Sequence, residues 1–121
     1  MGGMYTLSRV LATIFGSITL FGVIWFSETL SGTVRIAGVL IGTCSLGAAF
    51  LPERKLSSAE TRKILITLCF LGIVSGLFLL TDDLGDFSEI EWDVITMRFL
   101  HITSLTILAV KVLQMDRKVK Q

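Results

Sequence analysis

Apolar and polar positions fall in long blocks along this chain rather than in the rhythm of a surface helix or a half-buried strand. Three stretches contain no Asp, Glu, Lys or Arg: Val10–Ser27, Ile36–Pro52 and Ile64–Thr81. Each has 17 or 18 residues, the lower edge of what crosses a bilayer core. A fourth, Val94–Met115, is apolar in outline but carries Arg98, His101 and Lys111. The blocks predict four transmembrane helices, over about 7–27, 32–51, 58–81 and 89–115.

Local signals mark the ends. Ser57 with Glu60 forms a capping box ahead of the third block. Ser88 with Glu91 repeats it ahead of the fourth, and Phe87 and Trp92 occupy the positions of a hydrophobic staple. Pro52 is placed to stop helix 2. The short link that follows makes helices 2 and 3 antiparallel neighbours. No small-x-small cleavage site follows Trp25 and Phe26, so the first block reads as a span and not as a signal peptide.

Composition narrows the class. Hydrophobic residues make up 52% and charged residues 17% of 121, and mean hydropathy is +0.77. A soluble domain of this size has too much surface to cover with so little charge. A soluble enzyme, a nucleic-acid-binding domain and a disordered tail are excluded. The expected class is all-α: an integral membrane four-helix bundle, one transmembrane domain over 1–121. Two cysteines and one histidine are too few for a structural zinc site or a bis-histidine haem within one chain. No metal, no cofactor and no catalysis are expected.

The distribution of charge gives an orientation. With four spans, the termini and the middle loop share one side. That side holds Arg9, Arg54, Lys55, Arg62, Lys63, Lys111, Arg117, Lys118 and Lys120 against Glu53, Glu60 and Asp116. The other holds Glu28, Asp82, Asp83, Asp86, Glu89, Glu91 and Asp93 against Arg35 and Arg98. Basic residues accumulate on the cytoplasmic side, so both termini are expected there, in a plasma membrane such as the bacterial inner membrane. Trp25 and Trp92 then anchor the outer interface.

Gly38 and Gly42 on helix 2, and Gly72 and Gly76 on helix 3, are small-xxx-small pairs that allow close backbone approach in lipid. Counted from the outer ends at about 1.5 Å per residue their depths overlap, so the two pairs are expected to face each other. Leu20 is expected to face lipid. Four helices of this length enclose little interior, so a homo-oligomer or a larger membrane complex is expected, with the bilayer as solvent and no nucleic acid.

The intramembrane polar groups are the candidate sites. Arg35 and Arg98 lie near the outer boundary, where they either snorkel and pair with Asp82, Asp83, Asp86, Glu91 or Asp93, in an acidic outer loop that also holds Glu89, or line a polar vestibule for anions. The acids lack the spacing of a calcium loop and read as a solvated cap. His101 lies about 9 Å below the outer boundary, too deep to snorkel. It either hydrogen-bonds to Ser17, Thr19, Ser45 or Ser75 or lines a proton-linked or polar path. Lys111 with the C-terminal Arg117, Lys118 and Lys120 suits anionic headgroups. Cys44 and Cys69 read as free, small apolar residues.

Length and layout resemble the small multidrug-resistance exporters, but those carry a carboxylate inside helix 1, and Val10–Ser27 holds none. The resemblance stops at architecture. Three functions fit: an oligomeric channel, transporter or membrane-permeabilising effector with a polar path near His101; an accessory or assembly subunit docked on a larger membrane complex; and a cytochrome-b-like membrane anchor.

Overall fold

The structure, a computed structural model, describes residues 3–26, 28–29, 32–51, 55, 57–84 and 92–120, the side chains of Met4, Asp83, Leu84, Val119 and Lys120 excepted. Four helices follow in order: α1 (Gly3–Trp25), α2 (Gly32–Phe50), α3 (Ala59–Leu84) and α4 (Trp92–Lys120). All four are long and apolar enough to cross a membrane. The Pro52 stop, the Ser88–Glu91 box, the Phe87 half of the staple, the start of helix 4 near residue 89 and the acids Asp86, Glu89 and Glu91 lie outside the described residues.

Each helix packs on its neighbours in sequence, and α1 closes the ring against α4. Pairing runs in opposite directions at every contact. Gly16 meets Ser45 and Val23 meets Gly38; Cys44 meets Gly72 and Ile41 meets Gly76; Leu105 meets Gly72 and Ile102 meets Gly76. Across α1 and α4, Phe15 meets His101 and Thr19 meets Arg98. The bundle is therefore up-down-up-down. One end carries both termini and the α2–α3 link; the far end carries the other two connections.

The helices overrun the charge-free blocks where packing rewards it. α1 starts at Gly3, before the expected residue 7, because its first turns bury Tyr5 and Ser8. Arg9 does not interrupt it. Its Nε donates to the Ala49 carbonyl at 2.8 Å, one of the last carbonyls of α2, which lack partners within that helix. α4 continues past residue 115 to Lys120. Its 29 residues span about 44 Å, longer than a bilayer core of about 30 Å. At the head of α3, the Arg62 N–H bonds to the Ser58 carbonyl at 3.1 Å. That makes Ser58 the N-cap, one residue later than the Ser57–Glu60 box implies.

The interior is narrow and built from small residues. α2 buries Ala37, Gly38, Ile41, Gly42, Cys44, Ser45, Ala48 and Ala49. Large apolar side chains point outward on every helix, among them Leu7, Ile14, Phe21, Ile36, Phe50, Phe70, Leu77, Phe99 and Leu113. Water would penalise such an exterior. Hydrocarbon would not, so the surface fits a membrane bundle.

The glycine pairs do not face each other. A Cβ at Gly38 would strike Val23, and one at Gly42 would strike Leu20 and come within 3.2 Å of the Gly16 carbonyl, all on α1. A Cβ at Gly72 or Gly76 would meet Leu105, Ile41 or Ile102 at 2.8–2.9 Å, on α4 and α2. The α2 pair sets the α1–α2 approach, and the α3 pair receives knobs from α2 and α4. Matching depth allowed the expected pairing, but the pair on each helix faces a different neighbour. Leu20, expected to face lipid, fills the space left by Gly42.

Candidate functional site

The polar groups gather in layers between the helices. At mid-bundle, His101 is fully enclosed. Its Nε2 shares a 2.7 Å hydrogen bond with Ser45 Oγ, and the ring tautomer decides which is the donor. Ser45 is one of the four partners expected. It reaches the ring because Gly16 beside it has no side chain: a Cβ there would sit 3.0 Å from Ser45 Cβ. The Phe15 ring packs on the imidazole, centroids 5.9 Å apart. Ser104 turns its hydroxyl back to the His101 carbonyl at 2.7 Å, as mid-helix serines in lipid do. The other ring nitrogen, Nδ1, is buried with no partner among the described residues. Buried polar atoms are nearly always paired, so this atom needs a reason.

One turn toward the far end lies the second layer. Arg98 Nη1 donates to Thr19 Oγ1 at 3.3 Å. Both residues line a cleft of about 550 Å³, with Ile18, Val23, Phe26 and Val34 on one side and Leu79, Asp82, Val94 and Met97 on the other. All four helices contribute. Its walls are largely apolar, with a few converging polar groups. Arg35 stands apart, exposed on α2 in a separate groove with Gly32, Ile36, Val39 and Leu40. The two arginines therefore do not share a vestibule. Of the acidic cap, Asp82 reaches the cleft and Asp93 is exposed in the first turn of α4.

Toward the terminal end the interior is sealed. Leu65, Leu105, Leu108, Val112 and Ala48 are fully buried. Below them Arg62, only 3% exposed, pairs through Nε with Asp116 Oδ1 at 3.1 Å and donates from Nη1 to the Ser57 carbonyl at 3.0 Å. Arg9 stacks near Tyr5, 5.8 Å from the ring centroid. Sequence reasoning treated Arg62 and Asp116 only as topology charges. The antiparallel α3–α4 register, once fixed, brings them together. Cys44 and Cys69 are buried and free.

Sequence reasoning also missed Phe15 and Gly16, which read as ordinary span residues, and did not pair Thr19 with Arg98. Comparison with protein-family models, with curated proteins and with solved structures finds no match to this chain.

Proposed function

We propose that this chain is an integral membrane protein with both termini in the cytoplasm, working as an oligomeric channel or transporter. Its polar path begins in the far-end cleft, then outward-facing, and runs past Arg98 toward His101. The observation that carries this reading is the cleft. It brings an arginine, a carboxylate and a hydroxyl together one turn above a buried histidine. The sealed terminal end matches a path closed on its cytoplasmic side. Reconstituted vesicles test it. Protein-dependent flux should fall strongly in Arg98→Gln and in His101→Gln. Vesicles that stay as tight with the protein as without it overturn the reading.

A second reading is an accessory or assembly subunit of a larger membrane complex. The complete enclosure of His101 and its bond to Ser45 favour it, since both suit a core histidine. Co-purification with larger chains, without flux from the isolated protein, is its expected signature.

A further inference from the structure

We propose that His101 Nδ1 is a proton-binding site served from the outer cleft, so that the path described above carries or is coupled to protons. The inference rests on that path being open outward. Its own starting point is different: a buried ring nitrogen without a partner among the described residues.

Three features of the surroundings fit a proton better than a larger ligand. First, the ring is held. Ser45 fixes Nε2 and Phe15 covers a face, so the imidazole keeps its place while Nδ1 stays uncommitted. Second, the approach is short. The His101 and Arg98 positions are one helical turn apart on α4, and Phe15 and Thr19 are one turn apart on α1. The Thr19–Arg98 layer that lines the cleft therefore stacks on the Phe15–His101 layer. The proposed relay across that turn is a water between the Thr19 hydroxyl and Nδ1. Third, the other direction is closed by fully buried Leu105, Leu108 and Leu65. A proton that arrives from the cleft returns to the cleft until the bundle rearranges.

The chemistry is the net transfer of one proton. With the neutral ring in its Nε2–H tautomer, Nε2 donates to Ser45 Oγ and Nδ1 bears the lone pair. A hydronium in the cleft gives a proton to the relaying water and becomes water, and the relaying water passes a proton to Nδ1. Nε2–H stays bonded to Ser45, and no other bond changes. Deprotonation reverses the step. The charged groups facing this region are Arg98 on α4 and Asp82 on α3. α1 and α2 bring Phe15, Thr19 and Ser45, none charged. The buried thiols Cys44 and Cys69 are the other titratable groups at mid-bundle.

The chain has a single histidine, so ¹⁵N-histidine labelling of the full-length protein in lipid nanodiscs gives one ring to follow by NMR. The Nδ1 resonance should move from its bare to its protonated position as pH falls from about 8 to about 4, while Nε2 keeps a bonded-proton signal. Phe15→Ala should speed exchange of the ring proton with water several-fold. Ser45→Ala should change the Nε2 signal and leave the Nδ1 titration in place. A ring whose resonances stay fixed across that range, in wild type and in Phe15→Ala, overturns the proposal. Vesicle flux separates it from the transport reading. A titrating ring with flux unchanged in His101→Gln upholds the proton site and overturns its coupling to the path. Flux lost in Arg98→Gln with a silent ring upholds the cleft and overturns the proton site.

Discussion

His101 exchanges one of its two nitrogens for a bond to Ser45 and leaves the other to whatever reaches it. The cost of each group is separable by substitution. His101→Gln retains a hydrogen-bonding side chain and should keep the fold. His101→Leu leaves Ser45 without its buried partner and should cost about 1 kcal/mol, the scale of an interhelical hydrogen bond in lipid. Thermal unfolding in detergent reads the difference; equal stability of the Gln and Leu variants would show that the Ser45 bond contributes nothing. Depth along the span singled out His101 from sequence, because a polar group far from the interface must find a partner. Which hydroxyl met it depended on the rotation of α2 and on the room that Gly16 leaves for Ser45, which the sequence pattern does not display.

At the scale of elements, the glycines decide how near α1 and α2 come. The Gly16 and Gly42 backbones meet, each within 3.3 Å of where the other would carry a Cβ. Gly42→Leu should therefore destabilise the bundle by about 1–3 kcal/mol, the range for overpacking. Gly47, on the same helix, would set its Cβ at an ordinary 3.4 Å from Leu68, so Gly47→Ala should be neutral or slightly stabilising. Leu20→Ala should partly rescue Gly42→Leu, because Leu20 is the side chain displaced; a double variant no better than the single would move the contact elsewhere. Helix existence was legible from charge-free blocks, and boundaries less so. Packing and long-range bonds such as Arg9 to Ala49 and Arg62 to Asp116 extend or fix the ends, and these depend on register between helices. Small-xxx-small spacing likewise marks a close contact without saying which neighbour fills it.

At the scale of the whole molecule, both ends of the bundle are polar but in different ways. The terminal end binds two of its arginines internally, Arg62 to Asp116 and Arg9 to a helix carbonyl. At the far end Arg98, bonded to Thr19, and Asp82 line a recess. The basic excess of the first and the acidic excess of the second set the proposed orientation, because Lys and Arg resist translocation more than acids do. The continuation of α4 to Lys120 adds weight to that side, since about 14 Å of helix exceeds the hydrocarbon and carries exposed Arg117 and Lys118 toward anionic headgroups. A reporter fused after Gln121 should therefore read as cytoplasmic, and a cysteine placed at Ser88 should react with an impermeant thiol reagent from outside in intact cells. The buried native thiols Cys44 and Cys69 should stay silent, so the signal belongs to the introduced residue. Labelling of a cysteine at Ser57 from outside, with Ser88 protected, would invert the bundle and make the cleft open to the cytoplasm, and the proton site at His101 would then be served from within the cell.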